Sequence, residues 1–124
     1  MDLFISIDQI RTNWRLNPAD FVAGLARQWP LTKLRVISDT NRPASHKWSI
    51  PFPESAGKTL DGFLSRTLAL ISLEGTLADV AAFAIWFRSI VPPDVLLTFF
   101  SDQHPGKIFI DTDTDVSSLI EHFR

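Results

Sequence analysis

Residues 76–93 read TLADVAAFAIWFRSIVPP and contain the helix that decides the fold. Thr76 is a suitable N-cap residue, and Asp79 follows at the spacing of a capping box. The apolar side chains that fall within one arc of a helical wheel are Leu77, Val80, Phe83, Ala84 and Phe87. The two prolines after Val91 cannot continue a helix. The stretch therefore predicts a helix over residues 77–90 with one buried face.

Strand patterns and two further helix patterns lie on either side of this helix. A helix is expected over residues 17–29, where Pro18 occupies the first helical position. Alternating and apolar runs predict strands over 3–7, 34–38, 48–52, 95–100 and 107–110. A short helix is expected over residues 115–122, with Asp113 or Asp115 as its cap.

Residues 59–74 leave two interpretations open. Two strands, over 59–65 and 68–73, would form a hairpin through Arg66 and Thr67, although no glycine supports the turn. A single helix over 60–73 is the alternative. Threonine and isoleucine side chains between two flanking glycines favour the strands.

The order of these elements predicts one α+β domain over residues 1–124. Most connections between strands are short, and they leave little room for parallel crossovers. We therefore expect a mainly antiparallel β-sheet with two main helices packed on it and a short C-terminal helix.

Composition and charge restrict the classes of function. The 124 residues are 45% hydrophobic and 21% charged, as in ordinary soluble globular proteins. Cysteine is absent, which excludes disulfides, thiolate metal sites and a cysteine nucleophile. The chain lacks both a transmembrane-length apolar run and a signal-peptide pattern, so we expect a cytoplasmic protein without a membrane partner. A formal net charge of −2 argues against nucleic-acid binding.

Residues 94–124 have a charge balance of −4, whereas residues 1–93 have a balance of +2. Such a bias can steer a partner of opposite charge, or it can simply keep the surface solvated. The alternate acids of residues 111–115 resemble the start of a calcium loop. However, Val116 and His122 stand where that loop needs glycine and glutamate. Helix capping explains these acids more simply, and we expect no metal site.

No residue pattern points to catalysis, so we expect no enzymatic activity and no cofactor. The chain has three histidines, far apart in sequence and without metal-ligand spacing: His46, His104 and His122. No serine-nucleophile elbow or paired-carboxylate motif occurs. Arg88 falls within the apolar arc of the 77–90 helix. We expect it to be partly buried in an ion pair with Glu74 or Asp79.

Trp86 is the candidate anchor for a partner protein. Most of the four tryptophans and ten phenylalanines fit buried faces of the predicted elements. On the helical wheel, Trp86 lies instead near Asp79, Ala82 and Ser89, away from the apolar arc. An exposed tryptophan beside small residues is typical of an interface. Packing against a loop or the edge of the sheet is the alternative.

The segment from Leu60 to Val91, followed by two prolines, resembles a group of small bacterial proteins. This group includes immunity proteins of polymorphic and contact-dependent growth inhibition toxin systems. The matching features are Leu60-Asp61-Gly62, Leu73-Glu74-Gly75, Leu77, Asp79, Ala82-Phe83-Ala84, Trp86-Phe87-Arg88 and Val91-Pro92. The resemblance implies a non-catalytic protein that neutralises a cognate toxin, such as a basic nuclease, by steric occlusion.

Toxin binding is thus the favoured hypothesis, and it assigns five residues to the partner-binding surface. They are Trp86, Asp102, Asp111, Asp113 and Asp115. One alternative is a ligand-binding or enzymatic domain with a pocket between helix and sheet. The other is a homo-oligomeric adaptor, such as a homodimer, that buries its Trp86 face against a second copy.

Overall fold

A computed structural model describes residues 2–53, 57–104 and 106–124. Its elements in chain order are β1 (Asp2–Ile7), α1 (Pro18–Gln28), β2 (Lys33–Val36), β3 (Ala44–Pro51), β4 (Thr59–Ser65), β5 (Leu70–Glu74), α2 (Leu77–Ile90), β6 (Leu97–Ser101), β7 (Lys107–Ile110) and α3 (Val116–Phe123). The strands form one sheet in the order β2-β3-β4-β5-β1-β6-β7, with every neighbouring pair antiparallel. The predicted α+β class and antiparallel sheet are confirmed.

Helices α2 and α3 begin at cap residues that the sequence predicts, and α1 begins at Pro18 as expected. The Thr76 hydroxyl accepts a hydrogen bond from the Asp79 N–H at 3.2 Å, and α2 covers the predicted residues. Asn17 caps α1 by accepting from the Asp20 N–H at 3.1 Å. Of the two caps considered for the last helix, Asp115 is the one that the structure uses.

Residues 59–74 form the hairpin of β4 and β5, so the helical alternative is wrong. The turn contains no glycine, and Leu68 adopts the left-handed conformation there with φ 63°. Its N–H donates to the Ser65 carbonyl at 2.9 Å. The hydroxyls of Ser65 and Thr67 also share a hydrogen bond of 2.8 Å. These contacts support a turn that lacks the usual glycine.

One face of the sheet shares a hydrophobic core with the helices. Trp48 of β3 contacts Phe21 of α1 and Phe83 of α2, with ring centroids 5.3 and 5.7 Å apart. Phe99 of β6 meets Phe123 of α3 at 5.0 Å. Because side chains alternate along a strand, the remaining residues of each strand project from the opposite face. We call that opposite side of the sheet the open face.

Gly24 lies inside α1, where glycine is less favourable than alanine by about 0.5–1 kcal/mol. A Cβ atom at this position would meet the Trp86 ring at 3.4 Å, which is ordinary van der Waals contact. We expect Gly24→Ala to raise the free energy of unfolding by about 0.5–1 kcal/mol in urea denaturation. A decrease would mean that the α1–α2 contact has no room for a methyl group.

Candidate protein-interaction surface

Trp86 packs against α1 and is half-buried. Its ring centroid lies 6.0 Å from that of Phe21, 5.3 Å from that of Trp29 and 5.4 Å from that of Phe83. The expectation of an exposed tryptophan is therefore wrong. The wheel of a single helix cannot show that a second helix lies against its other side. A partner-binding role for Trp86 stays a prediction.

The acids before α3 are exposed and engaged in local structure. The Asp111 carboxylate accepts from the Asp113 N–H at 2.9 Å and from the Thr114 hydroxyl at 3.1 Å. Asp115 accepts from the hydroxyl and N–H of Ser118 at 2.7 and 2.8 Å. Both hydrogen bonds lower the pKa of Asp115 below its ordinary value, and the bond from the Ser118 hydroxyl contributes more than the bond from its N–H. Turn and cap formation accounts for these acids, and their role in partner binding stays a prediction.

Arg88 is buried, with 4% of its surface exposed, and its guanidinium binds main-chain carbonyls. Nη1 donates to the carbonyls of Val95 at 2.8 Å and Ile110 at 3.1 Å. Nη2 donates to the carbonyls of Val91 and Pro92. The side chain therefore joins the end of α2 to the segment before β6 and to β7. This is a structural role.

The expected ion pair of Arg88 with Glu74 or Asp79 is wrong. Glu74 projects from the open face of the sheet, whereas Arg88 lies on the side of the helices. Asp79 is nine positions earlier in α2, about 13 Å along the helix axis. Burial lowers the pKa of Arg88, and the carboxylates of Asp111 and Asp94 oppose that shift.

Two of the histidines, distant in sequence, meet in the fold. The rings of His104 and His122 lie 5.3 Å apart, and Nδ1 of His104 accepts from the Gly106 N–H at 3.1 Å. His46 stands apart and shares a 2.8 Å hydrogen bond with the Ser45 hydroxyl. Burial, and secondarily a nearby arginine, lower the pKa of His46. Among the residues that the structure describes, no cluster of three or more potential ligands could hold a metal ion.

A row of side chains crosses the open face from one edge of the sheet to the other. Directly opposed residues of antiparallel strands project to the same side, so the register defines the row. From β2 to β7 it reads Arg35, Lys47, Phe63, Ser72, Phe4, Phe100 and Lys107. Basic residues thus stand at both edges. We call the central four, Phe63, Ser72, Phe4 and Phe100, the aromatic row.

A parallel row, two positions along each strand, is acidic. The register places Asp61 opposite Glu74 and Glu74 opposite Asp2, and we call these three the acidic row. Like charges on directly opposed positions are unfavourable in a sheet. No described basic side chain forms an ion pair with any of the three. Within the described part of the chain, the Asp61 carboxylate accepts from two uncharged donors, the hydroxyls of Ser49 at 2.7 Å and Thr59 at 3.0 Å.

Of the acids predicted from the sequence, Asp102 lies nearest to this surface in the strand register. It directly follows Ser101, which pairs with Leu3, the neighbour of Asp2. Asp102 is exposed in the segment between β6 and β7. The aromatic and acidic rows themselves were not predicted, because they arise only from strand pairing.

A groove of about 620 Å³ runs over both rows. Its lining includes Phe63, Ser72, Phe4, Asp61, Glu74 and Asp2. The Phe4 and Phe100 rings stack beside it, with centroids 5.3 Å apart and planes inclined by 22°. The groove lies on the open face, whereas the ligand-site alternative expects a pocket between helix and sheet.

Comparison with known proteins finds no matching family model, no matching curated protein and no matching solved structure. Among the described residues, no helix combines the length and apolar character needed to cross a membrane. The function is therefore inferred from the chemistry of the surface.

Proposed function

We propose that this protein is a non-catalytic immunity protein that binds a cognate bacterial toxin through the open face of its sheet. The observation that carries the proposal is the aromatic row with the acidic row beside it. Aromatic side chains at the centre of a surface, with charged groups around them, are typical of protein interfaces. Binding there would neutralise the toxin by covering its functional site.

The apolar part of the open face is larger than the aromatic row alone. Phe4, Phe63 and Phe100 are half-buried, and Phe109 of β7 is 54% exposed. Phe109 projects from the same face because it opposes Thr98, which in turn opposes Ser6. Several aromatic side chains that stay partly exposed on one face of a sheet are a mark of an interaction site.

The acidic row favours a basic group on the partner, such as one from a nuclease toxin. The basic residues of the same face, Arg35, Lys47 and Lys107, lie toward its two edges. The three carboxylates of the acidic row have no ion-pair partner among the described basic side chains. The same charge opposes a homodimer that would bring two acidic rows together. The proposal includes a cytoplasmic location, where a nuclease would meet its substrate.

Co-expression with the product of the neighbouring gene tests this function. We expect growth rescue and a one-to-one complex that weakens as salt rises. Glu74→Lys reverses charge within the acidic row and should slow association about tenfold or more. Glu121→Lys makes the same charge change on the exposed side of α3, away from the open face, and should change association far less.

Three outcomes would contradict the proposal. The first is failure of both capture and growth rescue at low and high salt. The second is a Glu74→Lys variant that associates as fast as the wild-type protein, because it would exclude the open face. The third is a free protein that forms a stable dimer in light scattering and is not dissociated by the toxin, which would favour the adaptor alternative.

A further inference from the structure

We infer that the groove on the open face recognises an arginine side chain of the partner protein. The guanidinium lies between Phe63 and Phe4, above Ser72, with its edge toward the acidic row. This inference rests on the proposed function and names the chemistry by which the partner is bound.

We call the space between the Phe63 and Phe4 rings, above Ser72, the slot. Its width follows from the strand register. Ser72 of β5 opposes Phe63 of β4 on one side and Phe4 of β1 on the other. Two strand spacings put the Cα atoms of the two phenylalanines about 9.5 Å apart. Ser72 between them has only a small hydroxymethyl side chain and is 7% exposed, so it forms the floor of a narrow slot. A flat group in contact with both rings needs about 7–8 Å. Rings that stand upright on these two strands leave room above Ser72 for one planar group and not for two.

One wall of the slot is already fixed. Phe100 stacks on Phe4 from the side of β6, with ring centroids 5.3 Å apart. The opposite face of the Phe4 ring is consequently turned toward β5 and Ser72. A pre-positioned wall lowers the entropy that must be lost on binding.

The charge beside the slot selects a cation. Glu74 is two positions from Ser72, Asp61 two positions from Phe63, and Asp2 two positions from Phe4. The acidic row therefore follows one side of the slot, about 7 Å away along the strands. Two lysines lie near these acids. Lys47 opposes Phe63 from β3 and lines the groove on the far side of Phe63 from Ser72. Lys58 lines an adjoining pocket with Asp61 and Glu74 and forms no ion pair with either.

At neutral pH, arginine is both planar and positively charged, whereas lysine, the side-chain amides and the neutral aromatic residues each have at most one of these properties. Its planar guanidinium stacks on aromatic rings while its edge donates to carboxylates. Lysine has the charge but no flat face, and neutral planar groups lack the charge. A segment of a basic protein that presents an arginine can thus use the aromatic and acidic rows together.

A peptide titration tests the inference without the toxin. The probe is the blocked peptide acetyl-Gly-Arg-Gly-amide, added to 15N-labelled protein at low ionic strength. The matched probes replace arginine by lysine or by citrulline, which is planar and uncharged. We expect saturable shifts of the amide signals of Ser72 and Glu74 with the arginine peptide. Binding should be about tenfold weaker with either substitute.

Two variants locate the binding to the slot. Ser72→Leu fills the floor between the two rings and should abolish saturation, and Glu74→Gln should weaken binding about fivefold or more. Glu121→Gln removes an exposed carboxylate from α3, away from the open face, and should leave the titration unchanged. The folded spectrum of each variant confirms that the protein is intact.

Equal affinity for the arginine and lysine peptides would overturn the inference, because charge alone would then explain binding. Absence of saturable shifts, or saturation that persists in Ser72→Leu, would also overturn it. The proposed function fails separately. If growth rescue and capture succeed while the titration fails, the protein is an immunity protein that binds by other contacts. A positive titration without capture or rescue would leave arginine recognition standing and reject the toxin partner.

Discussion

Replacement of Arg88 by methionine should lower the free energy of unfolding by more than about 3 kcal/mol. The guanidinium donates to four main-chain carbonyls at the end of α2, before β6 and in β7. A buried acceptor that loses its donor costs about 1–3 kcal/mol, and three of the four bonds are buried. The Pro92 carbonyl is part-buried and keeps the Val95 N–H as a second donor. Methionine retains an unbranched apolar chain, so most of the loss reports hydrogen bonds rather than a cavity.

Arg88→Lys separates charge from geometry. Lysine keeps the positive charge but has three donors on one nitrogen and cannot reproduce the planar fork. We expect it to recover only part of the stability lost in Arg88→Met. Arg35→Met is the matched control, because Arg35 is exposed on β2 and should change stability by less than about 0.5 kcal/mol.

Urea denaturation followed by circular dichroism measures all three variants. An Arg88→Met protein within about 1 kcal/mol of wild type would show that water or neighbouring donors can replace the guanidinium. Full recovery in Arg88→Lys would show that charge, and not the number of donors, is what the site requires.

Local patterns predict much of this fold because their physical causes lie within a few residues. The cap formed by Thr76, the apolar arc of α2 and the stop at Pro92 are all sequence-local. Side-chain preferences favoured the hairpin over residues 59–74. Its turn at Leu68 contains no glycine and depends on hydrogen bonds that the sequence pattern does not indicate.

The arginine contacts could not be predicted, because their acceptors are main-chain carbonyls. Every residue has such a carbonyl, so the sequence carries no mark of which ones an arginine will reach. Arg66 illustrates this for the loop before β3. Its Nη2 donates to the carbonyls of Ile37, Asp39 and Ala44, at 2.9, 3.0 and 3.1 Å.

The candidate surface was missed for a related reason. Phe4, Ser72 and Phe100 are distant in sequence, and only the register of β5, β1 and β6 brings them into one row. Counting charges along the sequence selected Asp102 but favoured the acids just before α3, where acidic residues are closest together in the chain. Density along the chain does not reveal which carboxylates share one face of a sheet.

Gly62→Ala should lower the free energy of unfolding by about 1–3 kcal/mol, although it adds only one methyl group. Gly62 opposes Trp48 in the β3–β4 register. A Cβ atom there would lie 2.6 Å from Cε2 and 2.7 Å from Cζ2 and Nε1 of the Trp48 ring. The ring is 3% exposed and contacts Phe21 and Phe83, so it has no free space to occupy.

Gly24→Ala is the matched control, since it makes the same chemical change where a methyl group fits. Its effect on the free energy of unfolding should have the opposite sign.

Trp48→Phe in the Gly62→Ala background provides the sharper measurement, because a smaller ring relieves the overlap. We expect the double variant to be more stable than the sum of the two single losses predicts. Additive losses would mean that the methyl group is accommodated by a shift of β4. Gly62 lies between Asp61 and Phe63, so that shift would move residues of both rows and weaken binding of the arginine peptide. A local repacking around Trp48 would leave peptide binding unchanged.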